Sequence, residues 1–196
     1  MEERIKQRFG LNIETHMVMA ETLSTTIVNA ATRLVNCLLQ DNKILLCGHG
    51  GSAANCRHFS AAMLNHFEAE RPPLPVIALS TDASVVTELA NEGMGELLFA
   101  RQIQALGQQG DILITLSTSG NNRGILQAID AAHDRGIDVI ALNGRDGGQL
   151  ANHLGPEDIE LRVPGNQPAL IREMHLFILH CFCDLIDQSL FGTGTA

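Results

Sequence analysis

Lys43-Ile44-Leu45-Leu46-Cys47-Gly48-His49-Gly50-Gly51-Ser52-Ala53-Ala54-Asn55 is the stretch whose reading decides the fold. An apolar run of strand type meets a glycine cluster, and a serine with small residues opens a helix. Glycines let the backbone turn sharply and let a ligand approach the main chain. The new helix aims free N–H groups and a positive dipole end at that ligand, which favours an anion such as phosphate. Ser52 suits an N-cap and carries a hydroxyl for the ligand. The same letters also suit a tight strand-to-helix turn with no ligand.

A second stretch favours the ligand. Asp111-Ile112-Leu113-Ile114-Thr115-Leu116 reads as another strand, and Ser117-Thr118-Ser119-Gly120-Asn121-Asn122 follows it. Three hydroxyls, a glycine and two amides supply neutral donors without positive charge. A compact sugar-phosphate fits that set better than a nucleic-acid backbone.

Strand–helix alternation runs outward from these two stretches. Strands are predicted at 43–47, 75–79, 111–116, 137–142 and 158–162. Helices are predicted at 53–68, 84–106 with a break near Gly93 and Gly95, 122–134, a short one at 148–153, and 168–190. Strands separated by helices imply parallel pairing with right-handed crossovers. Val76-Ile77-Ala78-Leu79 and Val139-Ile140-Ala141-Leu142 are continuously apolar, the pattern of strands covered on both faces. The expected fold class is α/β, a doubly wound five-stranded parallel sheet of flavodoxin-like order 2-1-3-4-5. In that order strands 1 and 3 are neighbours, and ligands bind in the crevice between them. Both ligand-like loops follow those two strands.

Two further helices, 2–21 and 24–40, precede the alternation. Ile5, Phe9, Ile13 and Met17 recur at helical spacing, as do Ile27, Ala31, Leu34, Val35, Leu38 and Leu39. Ser24 is placed as an N-cap between them. The pair is expected to pack on a second subunit, because residues 41–191 form a complete domain without it. The whole chain, 1–196, is read as one domain with a frayed tail at 192–196. The last helix carries Ile171, Met174, Phe177, Ile178, Cys181, Leu185 and Ile186 as a broad apolar face, and Leu190 and Phe191 close it. That end is either a hydrophobic lock or a docking point for another protein.

Composition sets the outer limits. The chain has 196 residues, is 45% hydrophobic and 18% charged, and carries a net charge of −9. Disorder is excluded, and non-specific binding to nucleic acid or an anionic membrane is disfavoured. No apolar run is long enough to span a bilayer, and the acidic start Met1-Glu2-Glu3-Arg4 lacks a signal-peptide core, so a cytoplasmic location is expected. Five cysteines in apolar or helical contexts read as reduced thiols rather than a disulfide framework.

The residues then become familiar. Cys47-Gly48-His49-Gly50-Gly51-Ser52, Ser117-Thr118-Ser119-Gly120-Asn121 and Gly144-Arg145-Asp146-Gly147-Gly148 together resemble the sugar isomerase (SIS) domain. More narrowly, the chain is similar to the group holding phosphoheptose isomerase and the DnaA initiator-associating protein. The likeness covers essentially all of it, including Cys181-Phe182-Cys183-Asp184-Leu185-Ile186-Asp187. The resemblance implies homotetramers with a sugar-phosphate pocket at subunit junctions. It places phosphate contacts at His49, Gly50, Gly51, Ser52, Ser117, Thr118, Ser119 and Asn122, with Asn91 and Arg172 as further ligand residues.

The isomerases of this group also carry a metal and acid–base set. Moving a proton between adjacent carbons takes a base, and polarising the carbonyl takes an acid or metal. Their His-Phe-x-x-Glu pattern falls here on His58-Phe59-Ser60-Ala61-Ala62, so the glutamate position is Ala62. Their glutamine before Glu-x-His falls on Arg172, and their later histidine is His180. His58 and His180 alone make a weak zinc site. Each equally suits a core histidine. His49 stands where isomerases have asparagine, Glu92 after Asn91 where they carry aspartate, and Leu170 where close relatives have arginine.

Three functions follow as expectations. The first is a non-catalytic SIS protein that binds the DnaA-type initiator ATPase as a homotetramer, with no cofactor and with Leu190 and Phe191 among its contacts. The second is phosphoheptose isomerase with zinc. The third is a sugar-phosphate sensor. Direct contact with nucleic acid or membrane is not expected.

Overall fold

The computed structural model describes residues 1–192 of the chain; the tail expected to fray lies largely outside them. Five strands, β1 (Ile44–Gly48), β2 (Val76–Ala78), β3 (Ile112–Leu116), β4 (Asp138–Gly144) and β5 (Ile159–Val163), form one sheet in the order β2-β1-β3-β4-β5. Every pairing is parallel. Between β1 and β3 the register runs from Ile44↔Ile112 to Gly48↔Leu116, so the two strands end level and their loops leave the sheet side by side.

Among the described residues, seven α-helices surround it: α1 (Glu2–Thr22), α2 (Ser24–Leu39), α3 (Gly51–Leu64), α4 (Ala83–Asn91), α5 (Leu98–Leu106), α6 (Arg123–His133) and α7 (Pro168–Phe191). Side-chain alternation sends Ile44, Leu46, Ile112, Ile114 and Leu142 to a core shared with α2, α3 and α7. Leu45, Cys47, Leu113, Val139 and Ala141 point to a second core under α4, α5 and α6. The break expected near Gly93 is present: Gly93 has φ +71, and a 3-10 turn at Gly95–Leu97 precedes α5. All five cysteines are free, and Cys181 alone of them is not fully buried.

Three local expectations need correction. Ser24 is no N-cap, because Leu23 keeps near-helical dihedrals and carries the hydrogen-bond ladder from α1 to α2, while Ser24 Oγ donates to the Ala20 carbonyl. Leu39, counted in the apolar repeat of α2, is exposed, whereas Ile27, Ala30, Ala31 and Leu34 are buried in the chain's own core. β2 is an edge strand of three residues, and Ile77 on its outer side stays 36% exposed rather than covered.

α1 behaves differently from α2. Ile5, Phe9, Ile13 and Met17 are all more than half exposed, and only Thr15 and Met19 of the helix are buried. Asn12 Nδ2 donates to Glu173 Oε2 at 2.9 Å and ties α1 to the first turns of α7. Between the two helices runs a groove of about 340 Å³ whose lining includes Ile5, Phe9, Asn12, Gln167, Leu170 and Glu173.

Candidate functional site

The glycine loop after β1 turns within two residues. Gly50 has φ +57 and is the N-cap of α3, which begins at Gly51. Ser52 is therefore not the cap; it lies buried in the first turn, its N–H donating to the His49 carbonyl at 3.1 Å. A side chain at Gly51 would collide with Arg172, whose Cδ lies 2.7 Å from the Cβ position. The stem of Arg172 thus lies across the loop, and Asn55 Nδ2 fixes that turn of α7 by donating to the Arg172 carbonyl at 2.9 Å.

The loop after β3 folds on its own hydroxyls. Ser117 is buried, its Oγ accepts from Gly120 N at 3.0 Å, and its N–H donates to the Leu142 carbonyl. Ser119 Oγ accepts from Asn121 N at 3.4 Å, and Thr118 and Ser119 are half-exposed. Asn122 is the N-cap of α6, its Oδ1 accepting from Ile125 N at 3.2 Å. Gly120, at φ +65, packs against the Gly147 carbonyl with no room for a Cβ. The loop after β4 therefore braces the loop after β3, and Asn121 Oδ1 accepts from Gln149 N at 3.0 Å across the same seam.

His49 joins the two loops. Its ring lies 4.8 Å from that of Phe99, and its Nε2 stands 3.0 Å from where a Cβ on Gly124 would be, in the first turn of α6. Desolvation lowers the pKa of His49 below the usual imidazole value, and a hydrogen bond with Asn122 works against that. Of the expected ligand residues, the glycine loop thus meets Arg172 at Gly51 and Asn122 at His49. Asn91 ends α4, is exposed, and makes no side-chain hydrogen bond among the described residues. Phe99, Asn55 and Gly124 escaped sequence reasoning. Gly124, a small residue where a helix meets the loop, was the one readable signal.

The second cluster lies between α3 and α7. His58 Nε2 and His180 Nε2 are 2.9 Å apart, with the Phe67 ring 5.3 Å from that of His180. Desolvation and then the His58 charge lower the pKa of His180, while Glu68 opposes them. As a zinc site the pair falls short, because the positions that the isomerase pattern gives to the other two ligands hold Ala62, a methyl group, and Arg172, a cation without a lone pair to offer. Among the described residues no group of three His, Cys, Asp or Glu side chains could hold a metal.

The far end of α7 carries the expected partner contacts. Leu190 packs partly on the α2–α3–α7 core, whereas Phe191 is 45% exposed with the guanidinium carbon of Arg71 5.9 Å from its ring centre. No helix of the described residues is long and apolar enough to cross a membrane.

The SIS domain family model matches residues 12–144. A phosphoheptose isomerase of Shewanella sp. (strain W3-18-1) is 51% identical over 191 residues, covering 97% of each chain. The DnaA initiator-associating protein DiaA of Escherichia coli O1:K1 / APEC is 50% identical over the same length, again 97% of each. The solved structure of a phosphoheptose isomerase from Francisella tularensis superposes with a TM-score of 0.92 at 44% identity, over 95% of this chain and 97% of that one. Relatives of both names stand at equal distance, and the sheet order, the two loops and the family match agree: the chain belongs to the SIS domain family.

Proposed function

We propose that this protein is a non-catalytic SIS-domain protein that binds the replication initiator DnaA in the cytoplasm, as a homotetramer, and promotes initiator assembly at the chromosomal origin. One observation carries the reading. The position one helical turn after His58 is Ala62, which can move no proton, and Arg172 lies across the glycine loop where a metal-binding amide would stand in an isomerase. A relative named DiaA at 50% identity supports the partner. A tetramer presents several copies of the contact at Phe191, so its hold on several DNA-bound initiators comes from multivalency.

The phosphoheptose isomerase reading is favoured by the retained His58–His180 pair and both glycine–serine loops; a sugar-phosphate sensor needs the loops alone. The deciding experiment pairs two assays on one preparation. Co-sedimentation with purified DnaA is expected to be positive at micromolar protein, and turnover of sedoheptulose 7-phosphate is expected to match the buffer blank. Turnover without co-sedimentation overturns the proposal.

A further inference from the structure

The segment between α3 and β2 buries a guanidinium. The side chain of Arg71 is only 2% exposed. Its Nη1 donates to the carbonyls of Met63 at 2.9 Å, Pro72 at 3.0 Å and Asn65 at 3.5 Å. Its Nη2 donates to the Ala62 carbonyl at 3.1 Å and lies 3.6 Å from Met63 Sδ. The last carbonyls of a helix lack intrahelical partners and favour a cation, and Arg71 meets both needs for α3.

The remaining donor does something else. Arg71 Nε donates to Asp187 Oδ1 at 2.7 Å, on α7. Leu190 and Phe191 follow Asp187 by three and four residues, so all three share one face of that helix. The ring of Phe191 lies beside the guanidinium, its centre 5.9 Å away, within cation–π range. One buried side chain thus closes α3, grips the end of α7 and underlies the half-exposed aromatic.

We propose that Arg71 is the positioning residue for the tip of α7, holding Phe191 in one orientation as a preformed contact for the initiator. The inference rests on the initiator-binding reading and names the element behind its contact. A ring already fixed before binding loses less side-chain freedom on docking. Lysine cannot replace it, since an ammonium has no planar fork to reach Asp187, two helix-end carbonyls and the ring together.

The test uses the full chain and purified DnaA. Arg71→Lys is expected to weaken DnaA binding about tenfold with the oligomer and far-ultraviolet dichroism retained. The Arg71→Lys/Phe191→Ala double variant is expected to bind no more weakly than Phe191→Ala alone, because residues acting as a unit are not additive. Additive losses, or unchanged binding in Arg71→Lys, overturn the inference. If Arg71→Lys does not fold, Asp187→Asn decides, with several-fold weaker binding expected and wild-type binding the refuting result. Amide exchange at 188–192 is a readout independent of the partner: it is expected to quicken in the variant. Slow exchange there sinks the positioning role, whereas failure of the wild type to bind DnaA sinks the reading beneath it.

Discussion

His58 and His180 meet nitrogen to nitrogen, Nε2 to Nε2 at 2.9 Å, across the seam between α3 and α7. Two imidazoles match two of the four zinc ligands of the isomerase pattern, whose other two positions fall in this sequence on Ala62, a methyl group, and Arg172, a cation. Restoring Ala62→Glu together with Arg172→Gln is expected to supply the two absent donors. The double variant should then retain zinc through gel filtration where the parent does not. A double variant that elutes free of zinc would mean that the surrounding helices no longer hold the tetrahedral spacing.

Gly120 is constrained twice over, by φ +65 and by the Gly147 carbonyl packed against its α-carbon. Gly120→Ala therefore adds backbone strain to a steric overlap and is expected to cost roughly 3 kcal/mol or more. For a chain of this length that is a drop in Tm of about 6–12 °C. A thermal scan within about 2 °C of wild type would show that the seam between the β3 and β4 loops yields easily.

His175 is fully buried, with Nε2 against the Asn143 carbonyl at 3.0 Å. Burial pushes its pKa down to about 4, against the partial relief of that hydrogen bond and with a smaller push from Arg172. The folded state thus resists protonation, and between pH 6.5 and about 4 the unfolded chain binds the extra proton. Stability from this group is complete above pH 6.5 and is lost as pH falls through that window, roughly 3 kcal/mol in all. Urea midpoints from pH 7 to 4 should fall more steeply for wild type than for His175→Gln, which keeps a donor toward Asn143. Parallel curves would remove His175 from the account.

The stripe Ile5, Phe9, Ile13 and Met17 is exposed on a helix that the rest of the chain barely covers. If the proposed tetramer forms through it, Phe9→Asp/Ile13→Asp is expected to yield a smaller species in sedimentation velocity with helical content unchanged. An intact tetramer would move the packing surface elsewhere.

The sequence by itself determined the sheet. Apolar strands spaced by helical patterns admit one economical winding, and the glycine and serine loops fall after strands 1 and 3, where that winding reverses. That the glutamate position of the isomerase pattern falls on Ala62 was likewise legible, because it is a matter of residue type. Only the tertiary structure decided which helix faces find partners. The apolar repeats of α1 and α2 read alike, yet one is buried under α7 and the other is left bare, since burial depends on the surface opposite and not on the repeat. Arg71 is the clearest case: its burial follows from the carbonyls of α3 and the carboxylate of Asp187, 116 residues further on, converging at one point. Hydrogen bonds between such distant positions leave no period in the sequence to read.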